Sequence, residues 1–356
     1  MRHVPGRKSD VSDCQWLQEL HSYGLLRKAF VAERRMRALR SYYRHRSSLV
    51  EECARQINLM QKALEQMNIQ LHKALSDVSG VSGLRIIRAI LGGQRNPRLL
   101  ANMRESGVKS SQKELEDSLT GNYRGEHLFA LKQAVEAYDF YQSKLAECDE
   151  RIKSYMSEME NKKTGSPPAS RKNKKGRRKN EPHFDLRQAL YRITGVDLTQ
   201  IDGIDTMTAM TVITEQGIDM SRFASEKHFA SHLGLCPNHR ITGERITKRR
   251  TRKVQSRAAK AFRLAAQSLH SSNTALGAFY RRMHARLGPA KAITATAHKL
   301  AKIVYRMLKY GEEYVAMGQR YYEEQYQQRL VTNLQRRAKE LGYALTPLEP
   351  LQGCVS

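Results

Sequence analysis

Thr242 is a hydroxyl residue that stands directly before a glycine, Gly243, in the stretch from Leu233 to Arg263. Pro237 and Asn238, just upstream, predict that a helix ends there and a loop begins. The stretch then becomes strongly basic, through Arg245, Lys248, Arg249, Arg250, Arg252, Lys253 and Arg257. A hydroxyl beside a flexible glycine, followed by a row of cations, supplies the groups that chemistry on a phosphodiester requires.

The chemistry that these groups predict is nucleophilic attack on phosphorus. The hydroxyl of Thr242 would attack, and the cations would neutralise the nucleic-acid backbone and the charge that develops. A basic loop that only rests on nucleic acid has the same composition, and composition alone favours that simpler interpretation. Both interpretations stay open on these residues.

Asp10 and Asp13 are the second group that could do chemistry. A helix is predicted from about Asp10, and the spacing of three places both carboxylates on one face of its first turn. Two such carboxylates can share Mg²⁺, whose octahedral shell is completed by water and phosphate oxygens. Aspartates at a helix start also cap it and complement its dipole, which is the commoner role. Trp16, Leu17 and Leu20 are predicted to form the buried face of this helix.

Two long helices are predicted in the first half of the chain, each with apolar residues at alternating spacings of three and four, which is a heptad seam. The first seam is interrupted at Arg46 and consists of Met36, Leu39, Tyr43, Val50, Cys53, Ile57, Met60, Leu64, Met67 and Leu71. The second is interrupted at Gln142 and Asp149 and consists of Leu128, Leu131, Val135, Tyr138, Leu145, Ile152 and Met159. The two helices are predicted to pack antiparallel, within one chain or between two. Shorter helical pieces are predicted between them, over Val81–Leu91 and Asn96–Leu119.

A polar segment, residues 161–182, follows the second long helix. It contains GSPPAS and a basic run from Arg171 to Lys179, and it lacks apolar residues to bury, so we predict a flexible linker. The basic run is either a solvated tail or an arm that lies on nucleic-acid phosphates.

The residues from Leu198 to Ile213 predict a helix, a tight turn at Gly203 and a second helix. This pattern resembles a helix-hairpin-helix, in which turn amides and the following helix N-terminus hold a backbone phosphate. Gly203 and Gly243 are therefore candidates for nucleic-acid contact. Asp205 would repel a phosphate, so a purely structural turn is an equal alternative. Further helices are predicted over Ala258–His270 and Ala290–Lys309, followed by a long charged helix.

The charge balance predicts a polyanionic partner. The 356 residues include 62 Lys and Arg against 35 Asp and Glu, a formal net charge of +27, and nucleic acid is the commonest polyanion. Five scattered cysteines argue against a disulfide framework and favour a reducing, cytoplasmic compartment. We expect no membrane span, no signal peptide and, without a Walker or Rossmann glycine loop, no nucleotide hydrolysis.

Three blocks of sequence together resemble the insertion-sequence 110 family of transposases, the DEDD recombinases. The run LGLCPNHRITGERITKRRTRKVQSRAAKAFRLAAQSLH and the element from Ile201 to Ala209 resemble the C-terminal transposase domain of that family. The segment VPGRKSDVSDCQWLQELHSYGLLR resembles the end of its RuvC-like nuclease domain. The blocks occur in the family's order and span nearly the whole chain.

The resemblance implies a mainly α fold in which a coiled coil serves dimerisation. The expected parts are a remnant of the RuvC-like domain in residues 1–30, the coiled-coil region in 31–160, the basic linker in 161–182, a helical C-terminal transposase domain in 183–345 and a tail in 346–356. The family has a serine where this chain has Thr242, and its first Asp and Glu would precede Met1. The chain is therefore expected to be shortened at its N-terminus.

The activity that the resemblance implies is Mg²⁺-assisted DNA strand exchange in transposition. Thr242 would be the nucleophile and Asp10 and Asp13 the metal ligands. The phosphate clamp would consist of Arg245, Lys248, Arg249 and Arg250. The expected partners are DNA, a structured guide RNA encoded by the element, and further copies of the chain in a dimer or tetramer. One alternative is an inactive, truncated transposase that only binds nucleic acid and dimerises; another is a structural RNA-binding protein, in which the three site residues would be freely replaceable.

Overall fold

A computed structural model describes residues 9–26, 31–170, 180–243, 245–252, 254–311 and 319–346, and these are mainly α-helical, as the sequence predicted. The first half contains α1 (Asp10–Ser22), α2 (Arg34–Gln66), α3 (Leu71–Ala74), α4 (Val81–Leu91), α5 (Pro97–Ala101), α6 (Gln112–Ser118) and α7 (Gly125–Ser157). The second half contains α8 (Leu186–Thr194), α9 (Thr206–Gln216), α10 (Glu226–His232), β1 (Pro237–Thr242), β2 (Arg245–Thr251), α11 (Arg257–Ser268), α12 (Ala275–Leu287), α13 (Pro289–Tyr310) and α14 (Gln319–Glu340). None of the helices described is both long and apolar enough to cross a membrane.

The two long helices, α2 and α7, pack antiparallel within one chain. Their predicted seam interruptions lie opposite polar or sulfur groups of the other helix. Arg46 of α2 bonds Asp149 of α7, and the Gln142 side-chain nitrogen lies 3.6 Å from the Cys53 sulfur. Residue numbers thus fall along α7 as they rise along α2. The prediction of an antiparallel pair is confirmed. Of the two alternatives, pairing within one chain or between two, the structure shows the first.

The ion pair between Arg46 and Asp149 is buried, with 2% and 0% of the side chains exposed. Arg46 Nε lies 2.5 Å from Asp149 Oδ1, and Arg46 Nη2 lies 3.3 Å from Oδ2. Arg46 Nη1 also donates to the carbonyl oxygen of Asn180 at 3.0 Å, and the backbone N–H of His183 donates to Asp149 Oδ2 at 3.0 Å. Buried charges are tolerated when such additional bonds satisfy them. The ion pair therefore joins α2 and α7 to the segment that enters α8.

The α2–α7 pair contributes to two hydrophobic cores. At one end, the start of α2 and the end of α7 pack with α8 to α13, so that Met36 and Ile152 share a core with Phe262 and Leu300. At the other end, the remaining halves of the two helices pack with the short helices α3 to α6. The predicted helix over Val81–Leu91 is confirmed as α4, while the stretch predicted over Asn96–Leu119 is divided into α5 and α6.

Helix α9 is fastened to α2 by polar bonds as well as by packing. Arg40 Nε donates to the carbonyl oxygen of Thr214 at 2.8 Å, and its Nη2 donates to that of Glu215 at 3.0 Å. The hydroxyls of Tyr43 and Thr211 lie 2.9 Å apart. A cation on the last carbonyls of a helix also favours the negative end of its dipole. The second half of α9 is consequently held in a set position against α2.

The first part of the predicted linker lies along α8. The backbone N–H of Lys162 donates to the Arg192 carbonyl oxygen at 2.9 Å, and Arg187 Nη2 donates to the Pro168 carbonyl oxygen at 2.6 Å. Residues 161–170 form no regular helix or strand. The basic run from Arg171 to Lys179 lies outside the described residues.

Helix α1 begins where the sequence predicted, because the Ser9 hydroxyl accepts the Ser12 N–H at 3.2 Å and caps it. The predicted buried face is wrong: Trp16 is 39% and Leu17 46% exposed, and Leu20 is only half-buried. A helix buries an apolar face only against another element, and no other described element covers this one.

We expect Asp149→Ala to lower the free energy of unfolding by about 3–5 kcal/mol, because it leaves the Arg46 guanidinium buried without its counterion. The matched control is Asp139→Ala on the same helix, since Asp139 pairs with Arg88 at an exposed site. That change should cost less than about 1 kcal/mol. Urea unfolding followed by circular dichroism measures both. Equal losses for the two variants would contradict a special role for the buried pair.

Candidate nucleic-acid interface

Thr242 lies at the tip of a β-hairpin, where the sequence had predicted a loop. Strands β1 and β2 pair antiparallel, and Thr242 is the register partner of Arg245. Gly243 has a φ of +60°, the left-handed conformation that the first position of a two-residue hairpin turn requires. The β-branched residues Ile241, Thr242 and Ile246 favour extended backbone, which is why strands form here.

A β-bulge changes the register of this hairpin. Arg240 pairs with Lys248 while Ile241 pairs with Ile246, so Thr247 is the extra residue of β2. Beyond the bulge, Asn238 is the partner of Arg250 and His239 that of Arg249. The backbone of all four predicted clamp cations therefore lies within β2. Lys253 lies outside the described residues.

The predicted site residues form two separate groups. Thr242 is exposed beside Arg245 in the hairpin, while Asp10 is exposed and Asp13 half-buried on the first turn of α1. No hydrogen bond or ion pair among the described residues joins α1 to the hairpin. The described part of the chain also contains no cluster of three or more His, Cys, Asp or Glu side chains that could hold a metal ion.

Asp10 and Asp13 nevertheless fit a weak Mg²⁺ site. They lie in one helical turn, and neither forms an ion pair with a described residue. Mg²⁺ in proteins is often held by one or two carboxylates together with water and substrate phosphates. The two carboxylates can therefore hold Mg²⁺ only when a phosphate of the substrate completes the coordination shell of the ion.

The turn at Gly203 is shaped by packing. Gly203 has a φ of +86°, and a Cβ there would lie 2.7 Å from the Ala265 carbonyl oxygen and 3.0 Å from Leu269 Cγ. The helix predicted before this turn is a single 3₁₀ turn, Leu198–Gln200. Asp205 caps α9 by accepting the Thr208 N–H at 2.8 Å. A carboxylate thus already occupies the helix N-terminus where a phosphate would bind; contact of Gly203 with nucleic acid stays a prediction.

The segment that leaves β2 is fastened to α10. Arg252 Nη2 donates to the Ser231 carbonyl oxygen at 3.2 Å. Gly234 has a φ of +67°, and a Cβ on it would lie 2.7 Å from Val254 Cγ2, so only glycine allows this approach. Burial, and then the positive charge of Arg252, lower the pKa of the neighbouring His232. His232 is therefore neutral at pH 7 and adds no charge to the interface.

A basic cleft at the base of the hairpin was not predicted from the sequence. It has a volume of about 650 Å³ and lies between the end of α9, the segment before α11 and the start of α11. Arg257, Lys260 and Arg263 line it from α11, and Arg44 lines it from α2. The recurrence of the first three cations at every third position could have predicted a basic side of α11 from the sequence. Arg44 comes from a distant helix, and no sequence pattern links it to the other three.

We expect Asp205→Ala to lower the free energy of unfolding by about 1 kcal/mol, because the cap of α9 is lost. Asp205→Asn should keep the stability within a few tenths of that of the original chain, since asparagine caps equally well. Thermal or urea unfolding measures both. A loss of the same size with asparagine would show that the negative charge, and not the cap, is what Asp205 contributes.

Two family models match the sequence. One is a model of the DEDD transposases of IS110, and it matches residues 1–69, which include α1 and α2. A model described as Transposase IS116/IS110/IS902 family matches residues 195–281, which include the Gly203 turn, the hairpin and α11. No curated protein matches the sequence. The two models stand in the order that the sequence blocks indicated, and both support an IS110-family transposase.

Proposed function

We propose that this transposase exchanges DNA strands through the hydroxyl of Thr242. The observation that carries the proposal is the position of Thr242: exposed at the tip of a hairpin, before a glycine with positive φ, and paired in register with Arg245. A hydroxyl at such a tip can approach a phosphate without the strands colliding with the DNA. The cations of β2 then follow the same backbone.

The proposed reaction is a pair of transesterifications. Thr242 Oγ1 attacks a DNA phosphorus, the bond from phosphorus to the leaving strand oxygen breaks, and that oxygen takes up a proton while the threonine hydroxyl loses one. The product is a covalent protein–DNA phosphodiester. The hydroxyl of a second strand end attacks the same phosphorus and releases Thr242. One phosphodiester replaces another, so no nucleotide hydrolysis is needed.

Arg245, Lys248, Arg249 and Arg250 form the phosphate clamp in this proposal. Their charges stabilise the additional negative charge that the phosphate oxygens carry in the transition state. Asp10 and Asp13 would hold Mg²⁺, which supplies Lewis-acid activation of a phosphate when bound. That role needs a phosphate to complete the shell, because the part of the chain that the structure describes offers two carboxylates there.

A homo-oligomer, a dimer or a tetramer, is part of the proposal. The described residues of one chain make no hydrogen bond or ion pair between α1 and the hairpin. In an oligomer, the carboxylates of one copy can reach the hairpin of another. The net charge of +27 exceeds what one short DNA contact needs, and it suits an additional structured guide RNA.

The competing function is that of an inactive transposase that only binds nucleic acid and dimerises. The methyl group of Thr242 favours it, because a β-branched side chain restricts χ1 and crowds the approach to phosphorus. Such a protein would bind DNA or RNA with an affinity that falls steeply with salt and would form no covalent product.

We expect Thr242→Ser to increase the yield of covalent protein–DNA adduct, on the order of tenfold, because the crowding methyl group is removed. Thr242→Val is the matched control: it keeps the β-branched shape and strand propensity but has no hydroxyl, so it should form no adduct. The adduct is measured on denaturing gels with end-labelled DNA of the element's terminus and Mg²⁺. Equal yields for all three proteins would exclude Thr242 as the nucleophile. No adduct with either hydroxyl would favour the inactive alternative.

A further inference from the structure

We propose that the cleft at the start of α11 is a second binding site for the backbone of a nucleic-acid strand, adjacent to the hairpin but formed by other residues. We call it the α11 cleft, and its polar lining consists mainly of Arg44, Glu215, Gln216, Arg257, Lys260 and Arg263. The inference rests on the proposed function only in taking a nucleic acid as the ligand. It does not require Thr242 to be a nucleophile.

The α11 cleft carries cations that nothing described neutralises. Arg257, Lys260 and Arg263 form no ion pair and donate no side-chain hydrogen bond to a described residue. Glu215, the acidic residue of the lining, is 8% exposed and is held by Arg44 through bonds of 2.9 Å and 2.7 Å. Its charge is therefore already compensated, and the three cations of α11 leave the cleft with a net positive charge.

The arrangement of these cations suits a chain of phosphates better than one free anion. Arg257, Lys260 and Arg263 recur at every third position, which keeps them on one side of α11. Six residues of helix correspond to about 9 Å along the axis. Cations spaced in this way can each pair with a different phosphate of one strand.

The α11 cleft is continuous with the hairpin. Val254 and Ser256, in the segment that connects β2 to α11, also line it. A strand that follows the cations of β2 therefore reaches the cleft directly. The opposite wall, at the end of α9, is fastened to α2 by Arg40, so the cleft has a stable shape before any ligand arrives.

The test compares strand binding by Lys260→Gln/Arg263→Gln with that by Arg98→Gln/Lys113→Gln, which removes the same charge from exposed positions on α5 and α6. Both are made in the full chain with Thr242→Val, so that no covalent product can form. The probes are a labelled 12-nucleotide DNA strand and an RNA strand of the same sequence, and binding is followed by fluorescence anisotropy at several salt concentrations. We expect the cleft variant to bind roughly tenfold more weakly than the control, with a salt slope reduced by about one for each cation removed.

Weaker binding of both strands supports a site for the shared phosphodiester backbone. Weaker binding of only the RNA, or of only the DNA, supports the site and identifies the strand that uses it. Affinities and slopes equal to those of the control overturn the inference while leaving the proposed function intact. If the chain with only Thr242→Val binds neither strand, the proposed function fails together with the inference.

Discussion

The buried ion pair between Arg46 and Asp149 is the constraint on which the rest of the arrangement depends. Two charges removed from water must be matched to each other and to further hydrogen-bonding groups, or the fold becomes unfavourable. The additional groups come from Asn180 and His183, at the entrance to the second half of the chain. The pair therefore links α2 and α7 to each other and to the segment that enters α8.

The consequence is one continuous core around the start of α2 and the end of α7. The first half of α2 and the second half of α7 pack in the same cluster as α9, α11 and α13. Arg40 and Tyr43 then fasten α9 to α2 by polar bonds. The hairpin and the α11 cleft are thus attached to this well-packed core. The groups proposed to contact nucleic acid are therefore held in position by packed helices before any ligand binds.

Helix α1 contrasts with this body. No residue of α1 is buried, and its first turn carries the two carboxylates that we assign to metal binding. In the proposed site, the nucleophile lies on the hairpin and the carboxylates lie on α1, which no other described element covers. The site is complete only when the hairpin and α1 are brought together. Assembly on the nucleic acid, or between copies, would then control when strands are cut, as in enzymes whose sites are completed by substrate binding.

Local patterns in the sequence predicted the helices well. Heptad seams predicted α2 and α7, because side-chain periodicity is a property of neighbouring residues. The start of α1 and the bounds of α4 were also predicted correctly. The hairpin was missed because a glycine among cations was interpreted as a loop, and α12 was not predicted at all. The Arg46 and Asp149 interruptions were visible as defects in each seam. Tertiary structure alone decided three features: the pairing of Arg46 with Asp149, the position of Arg44 in the α11 cleft, and the exposure of Trp16 and Leu17. Each depends on which distant segment, if any, packs against the residue.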